Sequence, residues 1–543
     1  MKNPYLKNKK RMTKASMCRL PFFNKNLNNT THGISLFVVI VILFLGACDQ
    51  KDPALLEGEL KKWHKITLTF EGPESSETAN PNPFTDYRLE VIFKHEDTLF
   101  RVPGYFAADG QAVYTSASAG NQWRVHFIPT DTGLWQWEAA FISGTDIAIN
   151  SEKGTSAGFF DGAVGQFEVE ASDKPHEDLR SKGLLQYVGA HYYQFSDSKE
   201  YFLKAGADAP ENLLAYEDFD QVPDVNKRGG RKSWEPHAGD FRPEDSTYLW
   251  GADHNMGKNL IGAINYLQSK GMNVFSFLTF SLDGDDQNVF PHLLKVPVEV
   301  YEDSARQKNY TKAWEDTLIY HDRFDVSRMD QWEKIFEYGN NRGMYLHFKT
   351  QETENDHKMD DGGLGRERKL YYREMIARFG HHLALNWNLG EENTQGSDTV
   401  ENISSYIRML DPFNHPIVLH TYPEQMEQRY AYHLGKENLD GLSVQTNRED
   451  FGNVNPVINE WVKRSAEAGH KWVVACDEPG DHRYSAVPDE ADSSNRYDER
   501  VNALWGTLLA GGAGVEWYFG YKYPESDLTA QNWRSRDNLW EQS

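Results

Sequence analysis

From about residue 58 to residue 170, apolar and polar side chains alternate between turn signals. Trp63-His64-Lys65-Ile66-Thr67-Leu68-Thr69-Phe70 is one such run. Tyr87–Phe93 and Gln122–Phe127 are others, and Thr132-Gly133-Leu134-Trp135-Gln136-Trp137 starts another after a glycine turn. Successive strand side chains point to opposite faces, so these runs predict an antiparallel, Ig-like β-sandwich over 58–171. The polar stretch Ala171–Lys182 reads as a linker, and beyond it the period changes. Eight short apolar runs are strand candidates: Tyr201–Ala207, Met272–Phe280, Met344–Lys349, Leu383–Leu389, Pro416–His420, Gly441–Gln445, Lys471–Cys476 and Ala513–Tyr518. Helical spacing falls between them, in Asn259–Lys270, in Met329–Asn341, at Val400, Ile403, Ile407 and Leu410, and at Val501, Leu504, Trp505 and Leu508. Eight strand–helix alternations predict an α/β domain over 183–543, a (β/α)8 barrel rather than an open sheet. Its eighth helix only begins at Gln531 before the sequence stops at Ser543, so a C-terminally truncated barrel with an exposed apolar flank and poor solubility is expected.

Charge narrows the partners. Asp and Glu number 81 against 57 Lys and Arg, a net charge of −24, which repels phosphate backbones and argues against nucleic acid. The 15 Trp residues fit a sugar-binding cleft, although core packing accounts for most such residues. Of three cysteines, Cys476 ends an apolar run and reads as a small buried hydrophobe, which leaves no disulfide framework in a mature chain.

The N-terminus reads as an export signal over residues 1–48. Lys and Arg residues precede the apolar run Gly33–Ala47, which is shorter than the roughly 20 residues a membrane-spanning helix needs. The basic stretch is long enough that translation could start at Met12 or Met17. Leu45-Gly46-Ala47-Cys48 resembles a bacterial lipobox, and Asp49 and Asp52 resemble the export signals of Bacteroidetes surface lipoproteins. The resemblance implies lipidation at Cys48 and an outer-membrane lipid anchor. The plain alternative is a signal anchor with an incidental cysteine.

Chemistry on such a barrel gathers at the C-terminal ends of its strands. Strand one ends in Asp208, and strand two runs into Asp283-Gly284-Asp285-Asp286. Strand three runs into Gln351-Glu352-Thr353-Glu354, strand four ends in Gly390-Glu391-Glu392-Asn393, and strand five in His420-Thr421-Tyr422. Strand six ends in Gln445-Thr446-Asn447, strand seven in Asp477-Glu478, and strand eight carries Glu516-Trp517-Tyr518. Eight polar mouths with several aromatics predict a cleft of sugar size.

Glycoside hydrolysis needs one carboxylic acid to protonate the leaving oxygen and one carboxylate at the anomeric carbon. Leu389-Gly390-Glu391-Glu392 resembles the Leu-Gly-Asn-Glu strand-four end of clan A glycoside hydrolases, in which the Glu is the acid/base. Trp472-Val473-Val474-Ala475-Cys476-Asp477-Glu478 resembles their strand-seven end, in which the Glu is the nucleophile. In the N-terminal half, Asn82-Pro83-Phe84-Thr85-Asp86-Tyr87, Val102-Pro103-Gly104-Tyr105-Phe106 and Arg124–Pro129 look like a DUF5060 sandwich, which commonly precedes glycoside hydrolase barrels. Tyr201–Asn212 looks like the opening of such a barrel. The implied function is retaining hydrolysis of a carbohydrate, with Glu478 as nucleophile and Asp477 as its substitute. The sequence departs from the clan where Asn usually precedes the acid/base, because Glu391 stands there. Either Glu392 is the acid, with Glu391 raising its pKa, or a one-residue shift makes Glu391 the acid. Structural ion pairs are the plain alternative for all four carboxylates. Asp208, Asp285, His420 and Trp517 are placed to hold hydroxyls or stack a sugar ring. The basic loop Lys227–Lys232 reads as a solvated surface or an anion contact.

A glycan-binding lipoprotein without activity is the main rival from another class. A metal hydrolase is disfavoured because strand one ends in Asp208 without paired His and no H-E-x-x-H occurs. The G-x-S-x-G match at Gly154–Gly158 falls in the sandwich segment rather than at a barrel strand end, and no glycine-rich turn supports a nucleotide site. Neither a metal nor an organic cofactor is expected.

Overall fold

The computed structural model describes residues 53–543 apart from 226–227, 308–311 and 492–494. The signal segment and Cys48 lie outside the described residues.

Two antiparallel sheets open the described chain. One is ordered Leu55–Gly58, Ile66–Ser76, Ala119–Phe127 and Tyr105–Phe106. The other runs Thr98–Pro103, Tyr87–His95, Gly133–Ser143 and Thr155–Ser156, with Val164–Val169 also paired to Gly133–Ser143. The alternation seen in the sequence is the burial pattern: in Gly133–Ser143, Trp135, Trp137, Ala139 and Phe141 are buried while Leu134, Gln136, Glu138 and Ala140 face water. Between the sheets Phe93 stacks on Phe127 at 4.0 Å, and Phe141 on Phe160 at 4.4 Å.

Eight parallel strands then close into a barrel: β1 Lys204–Ala207, β2 Val274–Leu278, β3 Tyr345–Lys349, β4 Leu385–Asn388, β5 Ile417–Thr421, β6 Gly441–Gln445, β7 Val473–Glu478 and β8 Gly514–Trp517. Each overlaps an expected run with ends displaced by no more than three residues, and β8 pairs with β1 to close the ring. The helices that follow them are α1 Lys258–Ser269, α2 Val326–Asn341, α3 Arg366–Phe379, α4 Ser397–Leu410, α5 Met426–Tyr430, α6 Val454–Glu467, α7 Trp505–Leu509 and α8 Asp537–Trp540.

Two expectations change. The last helix is short, yet its flank is covered: Trp533, Leu539 and Trp540 are buried, and the Trp533 and Trp540 indoles donate to the carbonyls of Ala209 and Trp533. Exposed apolar surface lies instead on α7 and the turns before it, where Tyr497, Val501, Trp505 and Leu509 are 73%, 38%, 46% and 78% exposed. A π-helical segment at Glu499–Leu504 widens the turn, so Leu504 points inward while Val501 and Trp505 point out.

The sandwich sits on α3. Arg378 binds Asp330 at 2.9 Å and Glu374 at 3.2 Å, donates to the Phe106 carbonyl at 3.0 Å, and lies 4.1 Å from the Tyr105 ring. Arg373 donates to the Leu89 carbonyl at 3.0 Å. Removing Arg378 strands two buried carboxylates, for which the usual cost is about 3–5 kcal/mol. Arg378→Leu is therefore expected to lose that much in urea unfolding; a loss below about 1 kcal/mol would show that the apolar contacts alone hold the seam.

Candidate active site

The chain leaves β4 abruptly. Gly390 sits at φ +137°, where a side chain would meet Gln351 Cγ at 3.0 Å. Glu392 follows in the left-handed region at φ 47°, a strained position for a residue with a Cβ. The alternation of a straight strand, which would send only one of Glu391 and Glu392 to the cleft, is broken here, and both line it. The Glu391 amide is fixed by the Gln351 carbonyl at 2.8 Å and the Asn393 amide by the His420 carbonyl at 3.0 Å.

β7 ends with a comparable irregularity. Its register with β6 shifts between Val444↔Cys476 and Gln445↔Glu478, so Asp477 is the extra residue of a bulge. Bulges re-aim side chains beside sites, and this one turns two successive carboxylates inward. Asp477 is taken by Lys204 at 2.6 Å in the barrel interior. Glu478 faces the cleft, with His420 Nε2 3.4 Å from its Oε2. His420 is held in turn by Ser443 Oγ at 3.2 Å.

Lys349, the last residue of β3, lies between three carboxylates: Asp208 at 2.9 Å, Glu391 at 2.9 Å and Glu211 at 3.4 Å. Below it Lys204 binds Glu516 at 2.6 Å, Glu516 meets His347 Nδ1 at 3.0 Å, and His347 Nε2 meets Asn388 Nδ2 at 3.0 Å. This chain ties β1, β8, β3 and β4 together under the cleft.

Burial pushes Glu391 up, but the Lys349 ammonium outweighs it and holds the carboxyl at about 2. Burial raises Glu392 to about 8, with the charges of Glu478 and Glu391 adding to it. Burial and the charge of Glu391 push Glu478 to about 8 as well. Gln445 Nε2 donates to Glu392 Oε1 at 2.9 Å, and Tyr422 also bonds that carboxyl. The arrangement thus holds one fixed anion, Glu391, between two carboxyls that exchange protons near neutrality.

The cleft has a volume of about 580 Å³, in the range of small-ligand sites. Of the positions singled out in the sequence, Glu391, Glu392, Glu478 and Asp285 line it, and His420 touches Glu478. Asp208 lies deeper, fully buried on Lys349 and on Ser276 Oγ at 2.8 Å. Trp517 is misplaced as a stacking platform. Glu516 points into the barrel, so its neighbour points outward, buried against the C-terminal segment with its indole on Ser543 Oγ at 2.8 Å. The aromatic rings on the cleft are Tyr422, Tyr518 and Tyr521. Arg228 of the basic loop reaches the mouth but pairs with Asp285 at 2.6 Å; Lys227 lies outside the described residues. Sequence reasoning placed Gln445 at the mouth of strand six without a role and missed Lys349, Glu211 and Tyr521. A lysine ending the apolar run Tyr345–Lys349 was an available signal for the first of these.

Among the described residues, Asp208, Glu211 and Glu391 have the ligand spacing of a metal site, as do Glu391, His420 and Glu478. In the first set the Lys349 ammonium already stands where a cation would, so a metal ion would have to displace it.

Residues 59–142 match the family model described as domain of unknown function DUF5060. The sandwich carries a DUF5060 domain. No curated protein matches the chain. Among solved structures, a candidate glycoside hydrolase from Bacteroides vulgatus is similar at 15% identity and TM-score 0.55, over 89% of this chain and 77% of that one. That likeness is one of fold, antiparallel sheets followed by a closed eight-stranded parallel barrel. A glycoside hydrolase family 5 protein from Bacteroides vulgatus aligns at 16% identity and TM-score 0.38, over 64% of each chain. A glycoside hydrolase family 5 mannosidase from Rhizomucor miehei aligns at 9% identity and TM-score 0.42, over 65% of this chain and 90% of that one.

Lys349→Met is expected to destabilise the fold by about 3–5 kcal/mol near pH 7.5, because three buried carboxylates lose their common cation. The depressed Glu391 favours folding above its unfolded value of 4.5, and that contribution fades as pH falls toward about 2. In the variant the stranded groups take up protons, so the deficit in urea unfolding should shrink between pH 7.5 and pH 4.5. A deficit independent of pH would contradict this electrostatic role.

Proposed function

We propose that the chain is a retaining glycoside hydrolase in which Glu392 is the acid/base and Glu478 the nucleophile. The observation that carries this reading is the pair itself. Two carboxyls from β4 and β7 share one cleft, both pushed to about 8 by burial and by neighbouring carboxylate charge, so that near pH 8 one can keep its proton while the other has lost it.

In this reading Glu392 gives its proton to the glycosidic oxygen as a Glu478 oxygen bonds to the anomeric carbon and the leaving group departs. Water then attacks the glycosyl ester, Glu392 takes its proton, and Glu478 is released. Glu391 is unsuited to either role because Lys349 holds it ionised and engaged. Its charge tunes both partners instead. We further propose, from the lipobox resemblance alone, that the protein is exported and anchored through Cys48 to the outer membrane.

Hydrolysis of a panel of aryl glycosides and polysaccharides tests the reading. Glu478→Gln should abolish turnover. Glu392→Gln should lower it about 10²–10⁴-fold on poor leaving groups and much less on dinitrophenolate, which needs no proton. Glycan binding by the wild type without turnover would overturn the assignment in favour of a binding protein.

The pH profile gives an independent check. Activity should follow a bell near pH 8, falling on the acid side as Glu478 is protonated and on the alkaline side as Glu392 loses its proton. Removing the negative charge at Glu391→Gln lowers both values, so the whole bell should move to lower pH. An unmoved bell would contradict the role given to Glu391.

A further inference from the structure

The cleft is walled on one side and open on the other. On the walled side the loops after β2 and β8 meet: Tyr521 donates to Asp285 Oδ2 at 2.7 Å, and Asp285 Oδ1 holds Arg228, from the loop after β1, at 2.6 Å. The Arg228 guanidinium lies 5.7 Å from the Tyr521 ring, so three loops close on one another at this point. The contact is anchored at both ends. The Asp285 amide donates to Glu352 beyond β3 at 3.1 Å, and the amides of Tyr521 and Lys522 donate to the carbonyls of His482 and Arg483 beyond β7 at 3.0 and 2.9 Å. The wall also has height. Tyr518 at its foot is buried and Tyr521 packs edge-on against it at 6.0 Å. Above them the Asp285 side chain is 24% exposed and that of Arg228 55% exposed, so the wall runs from the barrel floor to solvent.

The opposite side differs. There the cleft is bordered by Pro423 and Glu424 after β5 and by Thr446 and Asn447 after β6. Glu424 and Asn447 are exposed, and among the described residues no hydrogen bond joins those two loops at the mouth. The roles of the two glutamates say which half of a substrate faces each side. Glu392 protonates the glycosidic oxygen, and its carboxyl is held by Tyr422 after β5 and by Gln445 at the end of β6. The leaving group therefore lies toward β5 and β6 and passes out through the open side. The sugar whose anomeric carbon Glu478 attacks lies the other way, toward Glu211, Tyr518, Tyr521 and Asp285. A chain continuing beyond that sugar would run into the contact between Asp285 and Tyr521. Cutting an internal bond needs room on both sides of it, whereas trimming an end needs room on one.

We propose that the cleft is a blind pocket for one terminal sugar, so that the enzyme removes single residues from the non-reducing ends of glycans and does not cut chains internally. The inference rests on the hydrolase reading of this cleft and adds to it the mode of attack and the class of substrate, a glycan with a free non-reducing end. Asp285, Tyr521 and Arg228 set that mode by exclusion: they admit the last sugar and refuse the one before it.

The test takes oligosaccharides of the polysaccharides in the hydrolysis panel, labelled with 2-aminobenzamide at the reducing end, with the terminal sugar at the other end either free or blocked by methylation. Wild type should release monosaccharide and a labelled chain one residue shorter as the only early products. Blocking the far end should slow hydrolysis about a hundredfold or more, because the wall leaves no place for a chain to pass. Early labelled fragments from mid-chain, or equal hydrolysis of free and blocked chains, would overturn the proposal and leave the hydrolase reading intact. Tyr521→Ala, or Asp285→Ala if the first does not fold, opens the wall and should narrow the ratio between free and blocked chains. An unchanged ratio in a folded variant would also overturn the proposal. No turnover of any panel member by the wild type would remove the hydrolase reading, and the proposal with it.

Discussion

One lysine organises the centre of the barrel. Lys349 arrives on β3 and contacts three carboxylates from two other places: Asp208 and Glu211 just beyond β1, and Glu391 beyond β4. A buried ion pair of this kind gives little net stability compared with an apolar core, because desolvation offsets the attraction. What it gives is position. The ammonium fixes Glu391 as an anion, and the anion adds to the burial that raises Glu392 on one side and Glu478 on the other. The left-handed turn at Glu392 and the bulge at Asp477 are the backbone devices that bring those groups into one cleft.

The surrounding architecture serves the same end. Beneath the cleft, the path from Lys204 through Glu516 and His347 to Asn388 joins four strands by polar contacts that are all buried. Outside the barrel the sandwich rests on α3 through Arg373 and Arg378. The sandwich contributes no side chain that lines the cleft.

Much of this was legible in the residues. Strict alternation gave away the sandwich strands, and a run of apolar segments separated by helical spacing gave away each barrel strand, because both periods are imposed by backbone geometry. The acidic ends of β4 and β7 were legible for the same reason: a charge at the end of an apolar strand has few places to go. That both Glu391 and Glu392 face the cleft was not legible, since it depends on a left-handed φ at Glu392 that no periodicity encodes. Trp517 was misread because the facing of β8 is set by its neighbour Glu516, which the barrel interior claims through Lys204. Lys349 and Gln445 acquire their meaning only from residues 42 and 53 positions away in the chain. The exposed face before α7 was hidden by a π-helical turn that shifts an otherwise helical apolar pattern.

The assignment of nucleophile and acid/base is the claim on which the rest stands, and azide rescue reads both at once. Glu478→Ala supplied with azide and an activated aryl glycoside should form a glycosyl azide of the anomeric configuration opposite to the substrate, since azide replaces the missing nucleophile. Glu392→Ala under the same conditions should form the azide of the same configuration as the substrate, by attack on the ester at Glu478. The reverse pattern would exchange the two roles, and an active wild type with no azide product from either variant would contradict the two-glutamate account altogether.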